Sequence, residues 1–151
     1  MTHENQSEKD AAAKAATARD GALPPIGLEG AVDQVVRHEW TIAALNPKLP
    51  AVLSTPHMIG MMEGASARAV KDHLPRGAIT VGTRIEVDHL KAVTVGAPVH
   101  ATAKLVEHRG RFLVFDVEAR SGEHLIGRGK VFRAIVESAK HQAKADARKE
   151  P

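Results

Sequence analysis

Three residues whose types could do acid–base or nucleophilic chemistry stand at positions that folding alone explains only in part. Thr55 opens a helical pattern, Glu63 lies eight residues further along it, and His89 ends a strand-like alternation. A hydroxyl, a carboxylate and an imidazole meeting in one cleft would supply a nucleophile, a base and an orienting group. The imidazole titrates near neutrality and suits proton transfer. Each residue also has a structural explanation. Thr55 can be a helix cap, Glu63 can reach solvent from the edge of a buried stripe, and His89 can be a hydrogen-bonded core histidine. The chemical reading rests on the three together.

The elements that must position them are legible. From Ser54 to Val70 the chain has a helical period. Ala65, Met58, Ala69, Met62, Ser66, Ile59 and Val70 form one apolar arc at about 100° per residue, and Glu63 borders it. Thr55 is expected at the N-cap with Pro56 at the first helical position, where a missing N–H costs nothing. Leu74-Pro75-Arg76-Gly77 ends the helix. The next segment alternates, with Ile79, Val81, Thr83, Ile85 and Val87 expected on one face and His89 continuing it. Further strands follow, with Val99, Ala101, Ala103 and Leu105 inward, then Leu113, Phe115, Val117 and Ala119 inward, then a strand from about Leu125 to Val136. Turns at His108-Arg109-Gly110-Arg111 and Ser121-Gly122-Glu123-His124 join them. A first strand is expected over Val32 to Ile42. Links this short make neighbouring strands antiparallel. The expected fold class is α+β, one long helix on a five-stranded antiparallel sheet.

Residues 1–29 read as a disordered N-terminal tail and linker, because their Ala, Lys, Glu and Asp content has no apolar period. Residues 30–137 form the expected domain, and 138–151 a charged tail, a frayed helix or disordered. The chain has 151 residues, a net charge of +3 and no cysteine, which removes disulfides, thiolate catalysis and cysteine-based zinc sites. The charge is spread without aromatic interleaving, so nucleic acid is not an expected partner. No uncharged run approaches the ~20 residues of a membrane span, and the polar start does not resemble a signal peptide. A cytoplasmic protein without a membrane partner is expected. The histidines show no metal-ligand spacing, so no metal and no cofactor is expected. Gly60-xxx-Gly64 suggests close approach of another backbone, such as a partner's helix. Gly127-Arg128-Gly129 precedes strand rather than helix, so it marks a bulge or crowded strand crossing, not a phosphate loop.

The stretches Ser54-Thr55-Pro56-His57-Met58-Ile59-Gly60-Met61-Met62-Glu63 and Thr80-Val81-Gly82-Thr83-Arg84-Ile85-Glu86-Val87-Asp88-His89, with Gly127-Arg128-Gly129 and Arg133, resemble a hotdog-fold thioesterase of the fluoroacetyl-CoA thioesterase-like family. The likeness spans roughly Val36 to Val136. It implies the hotdog fold, an acyl-CoA substrate and an edge-to-edge homodimer with sites at the interface. It also implies catalytic roles for Thr55, Glu63 and His89 and a substrate-binding role for Gly82, whose N–H, with the helix start, would face the thioester oxygen. Arg84, Lys91, Arg109, Arg111 and Arg128 are candidates for CoA phosphates. Two departures accompany the likeness. The fluoroacetyl-CoA enzyme gates its pocket with phenylalanines before the helix, whereas no aromatic residue lies between Trp40 and Phe112 here. A histidine common in the last strand is replaced by Val131. The expected activity is hydrolysis of a short or small acyl-CoA thioester. The alternatives are a non-catalytic acyl-CoA or small-ligand binding module on the same fold, and a dehydratase using the adjacent Asp88 and His89, which as strand neighbours would point to opposite faces.

Overall fold

A computed structural model describes residues 23–149 of the chain; the stretch read as a disordered tail lies, up to residue 22, outside them. The elements run β1 (Glu29–Val35), two short 3-10 turns (His38–Trp40 and Ile42–Ala44), α1 (Thr55–Val70), a 3-10 turn (Lys71–His73), β2 (Ala78–His89), β3 (Pro98–Arg109), β4 (Phe112–Ser121), β5 (His124–Glu137) and α2 (Ser138–Ala147). One five-stranded sheet has the order β1-β3-β4-β5-β2, with every pair antiparallel. Gly110 and Gly122 take positive φ at the tips of the two hairpins, as tight antiparallel turns require. No described helix is long and apolar enough to cross a membrane.

The sheet buries one face against α1. Met58, Met62, Ala65 and Val70 from the helix meet Ala101, Leu105, Leu113, Phe115, Val117 and Val131 from the strands, all fully buried. The helix and β1 come closest at Gly30, where a Cβ would sit 2.6 Å from the Ala69 backbone nitrogen. That is the close approach which the small residues of α1 suggested, but the glycine that permits it is on the strand. Gly64 faces the Val32 side chain at 3.4 Å, and Gly60 faces open space. At Gly127 and Gly129 the crowding is between β5 and its neighbours. A Cβ on Gly127 would meet the Met58 sulfur at 2.6 Å, and one on Gly129 the Val87 Cα at 2.7 Å.

Three expectations need correction. Strand β1 stops at Val35, and the Val36–Ile42 stretch turns through the two 3-10 segments instead. Trp40 leaves the strand to stack on His57 of α1, with ring centroids 4.4 Å apart. The N-cap is Ser54, whose Oγ accepts from the His57 N–H at 3.3 Å, so Thr55 is already helical. The faces of β2 also change partway along. A bulge between Gly82 and Arg84 inserts Thr83, so Gly82 pairs with Arg133 and Arg84 with Phe132. Before it, Thr80 and Gly82 face α1. After it, Ile85, Val87 and His89 do. Ile79, expected inward, is 42% exposed. An extra strand residue resets the two-residue period. Within the stretch read as linker, Pro24 is buried and the Gly27 N–H donates to the Leu105 carbonyl at 2.8 Å.

Candidate active site

The two hydroxyls at the start of α1 divide their work. Ser54 satisfies an orphan helix N–H, and Pro56 has none to satisfy. The Thr55 hydroxyl is left free of the cap and lies 2.7 Å from His89 Nδ1. His89 ends β2 on the α1-facing side, paired with Gly127, whose missing side chain makes room for Met58 beside it. The other ring nitrogen, Nε2, is buried and has no hydrogen-bond partner among the described residues. A buried polar atom without a partner is costly. It is therefore the atom of this pair most in need of a ligand.

Glu63 meets a different partner. Its Oε2 accepts from Arg133 Nη1 at 3.0 Å. Arg133 projects from β5 toward α1 and is almost wholly buried, its side chain 8% exposed against 36% for Glu63. Its Nε donates to Thr80 Oγ1 at 2.9 Å and its Nη2 to the Thr80 carbonyl at 2.8 Å. Gly82 lies against the same carboxylate, where a Cβ would stand 2.9 Å from Glu63 Oε2. In this geometry the absence of a side chain at Gly82 gives the carboxylate its space.

The structure thus brings Thr55 to His89, and Gly82 to Glu63. It does not pair Glu63 with His89 within the chain, since eight helical residues span about 12 Å. Arg133 is the partner of Glu63 to which sequence reasoning gives no role. It follows Val131 by two on β5, so the period places it inward, and a buried cation needs an anionic partner. Asp88 and His89 take opposite faces, Asp88 being exposed beside Arg128, so they do not form a dehydratase pair. Among the candidate cations, Arg84 is engaged by Glu86 and stacks over Phe132, while Arg109 donates to Glu107 at 2.6 Å, a contact that raises its pKa. Lys91 lines a 380 Å³ cleft with Thr94, Ser121, His124 and Ile126, next to the His89 end of β2. His57, stacked on Trp40 and 3.3 Å from Gln34 Oε1, has its pKa lowered by burial. No group of three or more metal-ligating side chains occurs among the described residues.

One long helix lying on one face of a five-stranded antiparallel sheet is the architecture of the hotdog class. A hot-dog-like protein of Thermanaerovibrio acidaminovorans shares the fold, with a TM-score of 0.75 at 22% identity over 82% of this chain and 92% of that one. Residues 36–139 match the family model described as fluoroacetyl-CoA-specific thioesterase. The fluoroacetyl-CoA thioesterase of Streptantibioticus cattleyicolor is 36% identical over 111 residues, 74% of this chain and 80% of that protein. A solved fluoroacetyl-CoA thioesterase superposes with a TM-score of 0.78 at 33% identity, covering 86% of this chain and 99% of its own. The chain belongs to the fluoroacetyl-CoA-specific thioesterase family.

Proposed function

We propose that the protein is an acyl-CoA thioesterase that hydrolyses a short or small acyl-CoA to acid and CoA, working as a homodimer. The observation that carries this reading is the 2.7 Å contact between Thr55 and His89 Nδ1, with Nε2 buried and without a partner among the described residues. Family membership supplies the acyl-CoA class. In hydrolysis water adds to the thioester carbonyl, the C–S bond breaks, and the departing thiolate takes a proton. Glu63 would act either as general base for that water or as the nucleophile itself, in which case the acyl group passes to its carboxylate as CoA leaves and water then hydrolyses the resulting anhydride. Its Oε1, the oxygen not held by Arg133, is the atom for either role. His89 would shuttle the proton toward sulfur, held in orientation by Thr55. The Gly82 N–H is the candidate donor to the developing oxyanion. The loss of one such donor typically costs ~10²–10³ in rate. Pro56 lacks an N–H and His57 donates its own to Ser54, so the helix start would add little beyond the Thr55 N–H. Lys91 and His124, which line the 380 Å³ cleft, are our candidates for the CoA phosphates.

The homodimer reading has three supports. Strand β2 is a sheet edge of 12 residues with no neighbour on its outer side among the described residues. A long open edge is a template for another strand. The opposite edge, β1, has only 7 residues, and Arg68 Nη1 already donates to its Ala31 carbonyl at 2.9 Å. Finally, clefts of 570, 250, 380 and 320 Å³ on the single chain are lined by neither Thr55, Glu63 nor His89. Antiparallel pairing of two β2 strands would wall the site from outside and bring the His89 end of one chain toward Glu63 of the partner subunit.

The test is CoA release from a panel of acetyl-, propionyl-, butyryl- and fluoroacetyl-CoA, with wild type beside Glu63→Gln and His89→Ala. Turnover by wild type and its loss in both variants supports the assignment. Equal rates in all three proteins would sink it, and saturable binding of CoA esters without turnover would point to the binding module. Sedimentation at equilibrium tests the dimer, and a monomer across the micromolar range would refute it.

A further inference from the structure

We propose that Thr80 is a positioning residue for Glu63, acting through the guanidinium of Arg133. The inference rests on the thioesterase reading for its kinetic consequence, and on the geometry alone for the contact itself. Three elements are joined in series. Thr80 on β2 accepts from Arg133 Nε through its hydroxyl at 2.9 Å and from Nη2 through its carbonyl at 2.8 Å. Arg133 on β5 then gives Nη1 to Glu63 on α1 at 3.0 Å. A guanidinium is planar and rigid, so bonds to Nε and Nη2 on one edge fix where Nη1 points on the other. With the side chain 8% exposed, water cannot readily replace a lost partner.

Of the two acceptors on Thr80, the carbonyl belongs to the backbone and survives any substitution. The hydroxyl is the part that the side chain contributes. Without it, Nε–H is orphaned in a buried place, and the guanidinium pivots on its remaining contacts. The movement is passed to Glu63, whose Oε2 also has Gly82 against it. Among the described residues Thr80 is hydrogen-bonded to Arg133 and not to Glu63, so its effect is on where Oε1 stands. Its inward orientation depends on the bulge at Thr83, because only that extra residue places Thr80 on the same face as His89.

The variants are Thr80→Val, which keeps the shape and removes the hydroxyl, and Thr80→Ser, which keeps the hydroxyl. We expect Thr80→Val to lower kcat about 10- to 100-fold, the scale of a misplaced catalytic group, with KM within about twofold of wild type. Thr80→Ser should stay within about threefold of wild type in kcat. A merely structural role would move melting temperature without this split between kcat and KM and without rescue by serine. An independent reading comes from the Nε–H resonance of Arg133 in nitrogen-correlated NMR, assigned by its disappearance in Arg133→Lys. It should exchange slowly in wild type and Thr80→Ser, and rapidly in Thr80→Val. Wild-type kcat in Thr80→Val, or an unchanged Nε–H exchange rate, would overturn the proposal. If wild type hydrolyses no acyl-CoA, the thioesterase reading fails on its own, and the exchange measurement still decides whether Thr80 holds Arg133.

Discussion

Replacing Gly82 with alanine should separate activity from stability. Gly82 has no positive φ, so alanine fits the backbone there. Its Cβ would stand 2.9 Å from Glu63 Oε2, 3.4 Å from Cδ and 3.6 Å from Oε1. Ordinary van der Waals contact requires the carboxylate to retreat by about 0.5 Å. That movement stretches the 3.0 Å bond from Arg133 to the limit of hydrogen-bond geometry, about 3.5 Å. A hydrogen bond to a charged group is worth about 1.5–3 kcal/mol. Glu63 is 36% exposed, and solvent screening brings the loss to about 1 kcal/mol. Alanine in turn restricts the unfolded chain, returning roughly 0.4–1 kcal/mol. The two nearly cancel, and the melting temperature should move by less than about 3 °C. Catalysis has no such compensation. A carboxylate displaced on this scale should lower kcat by about 10- to 100-fold. Acyl-CoA turnover and thermal melting on the same preparation check both halves. An unchanged kcat would refute the idea that Gly82 exists to make room for Glu63, and a melting loss above about 10 °C would mean that the strand itself had failed.

Three further outcomes are expected. Gly30→Ala forces a Cβ against the Ala65 carbonyl and to 2.6 Å from the Ala69 nitrogen; these are backbone atoms of α1, so the helix must shift, at a cost of about 1–3 kcal/mol in urea unfolding. Ser54→Ala removes the cap on His57 N–H, a bond of 3.3 Å, and should cost about 0.5–1 kcal/mol in the same assay while leaving kcat in place. Burial lowers the pKa of His57 below the ordinary 6.5, so the unfolded chain takes up the proton first; His57 therefore adds stability that is present above pH 6.5 and is lost as pH falls below it. The difference in unfolding free energy between wild type and His57→Gln, measured at pH 8 and pH 5.5, should narrow at the lower pH, and a difference that stays constant would refute the assignment.

Periodicity made the helix, the later strands and both hairpin turns readable. It also put His89 on the inward face, though for a reason that does not survive. The alternation counted from Ile79 has the wrong phase, and the bulge at Thr83 corrects it before His89 is reached. A bulge is set by the register with β5, which no pattern local to β2 records. The cap falls on Ser54, one residue before the expected Thr55, because both carry hydroxyls and both precede Pro56. What separates them is His89, distant in sequence, which takes the Thr55 hydroxyl. Trp40 fits a strand by propensity, yet its stacking on His57 pulls it out of one, an instance of tertiary contact overriding a weak local preference. The partner of Glu63 was the largest gap. Inward alternation on β5 does pass through Arg133, but only the fold shows that Thr80 and Glu63 flank it.

The strand order β1-β3-β4-β5-β2 also dictates a sequence of events during synthesis. Among the described residues the strand that pairs with β2 is β5, from Ala78 with Glu137 to His89 with Gly127, and β5 follows the other described strands in sequence. While α1, β1, β3 and β4 can already collapse together, β2 must wait with both sides unpaired. Pairings this distant close slowly, and exposed strand edges are where nascent chains go astray. Glu63 gains Arg133, and Gly82 is seated against its carboxylate, only when that closure happens. Recovery of turnover after dilution from denaturant would therefore trail the recovery of helical signal.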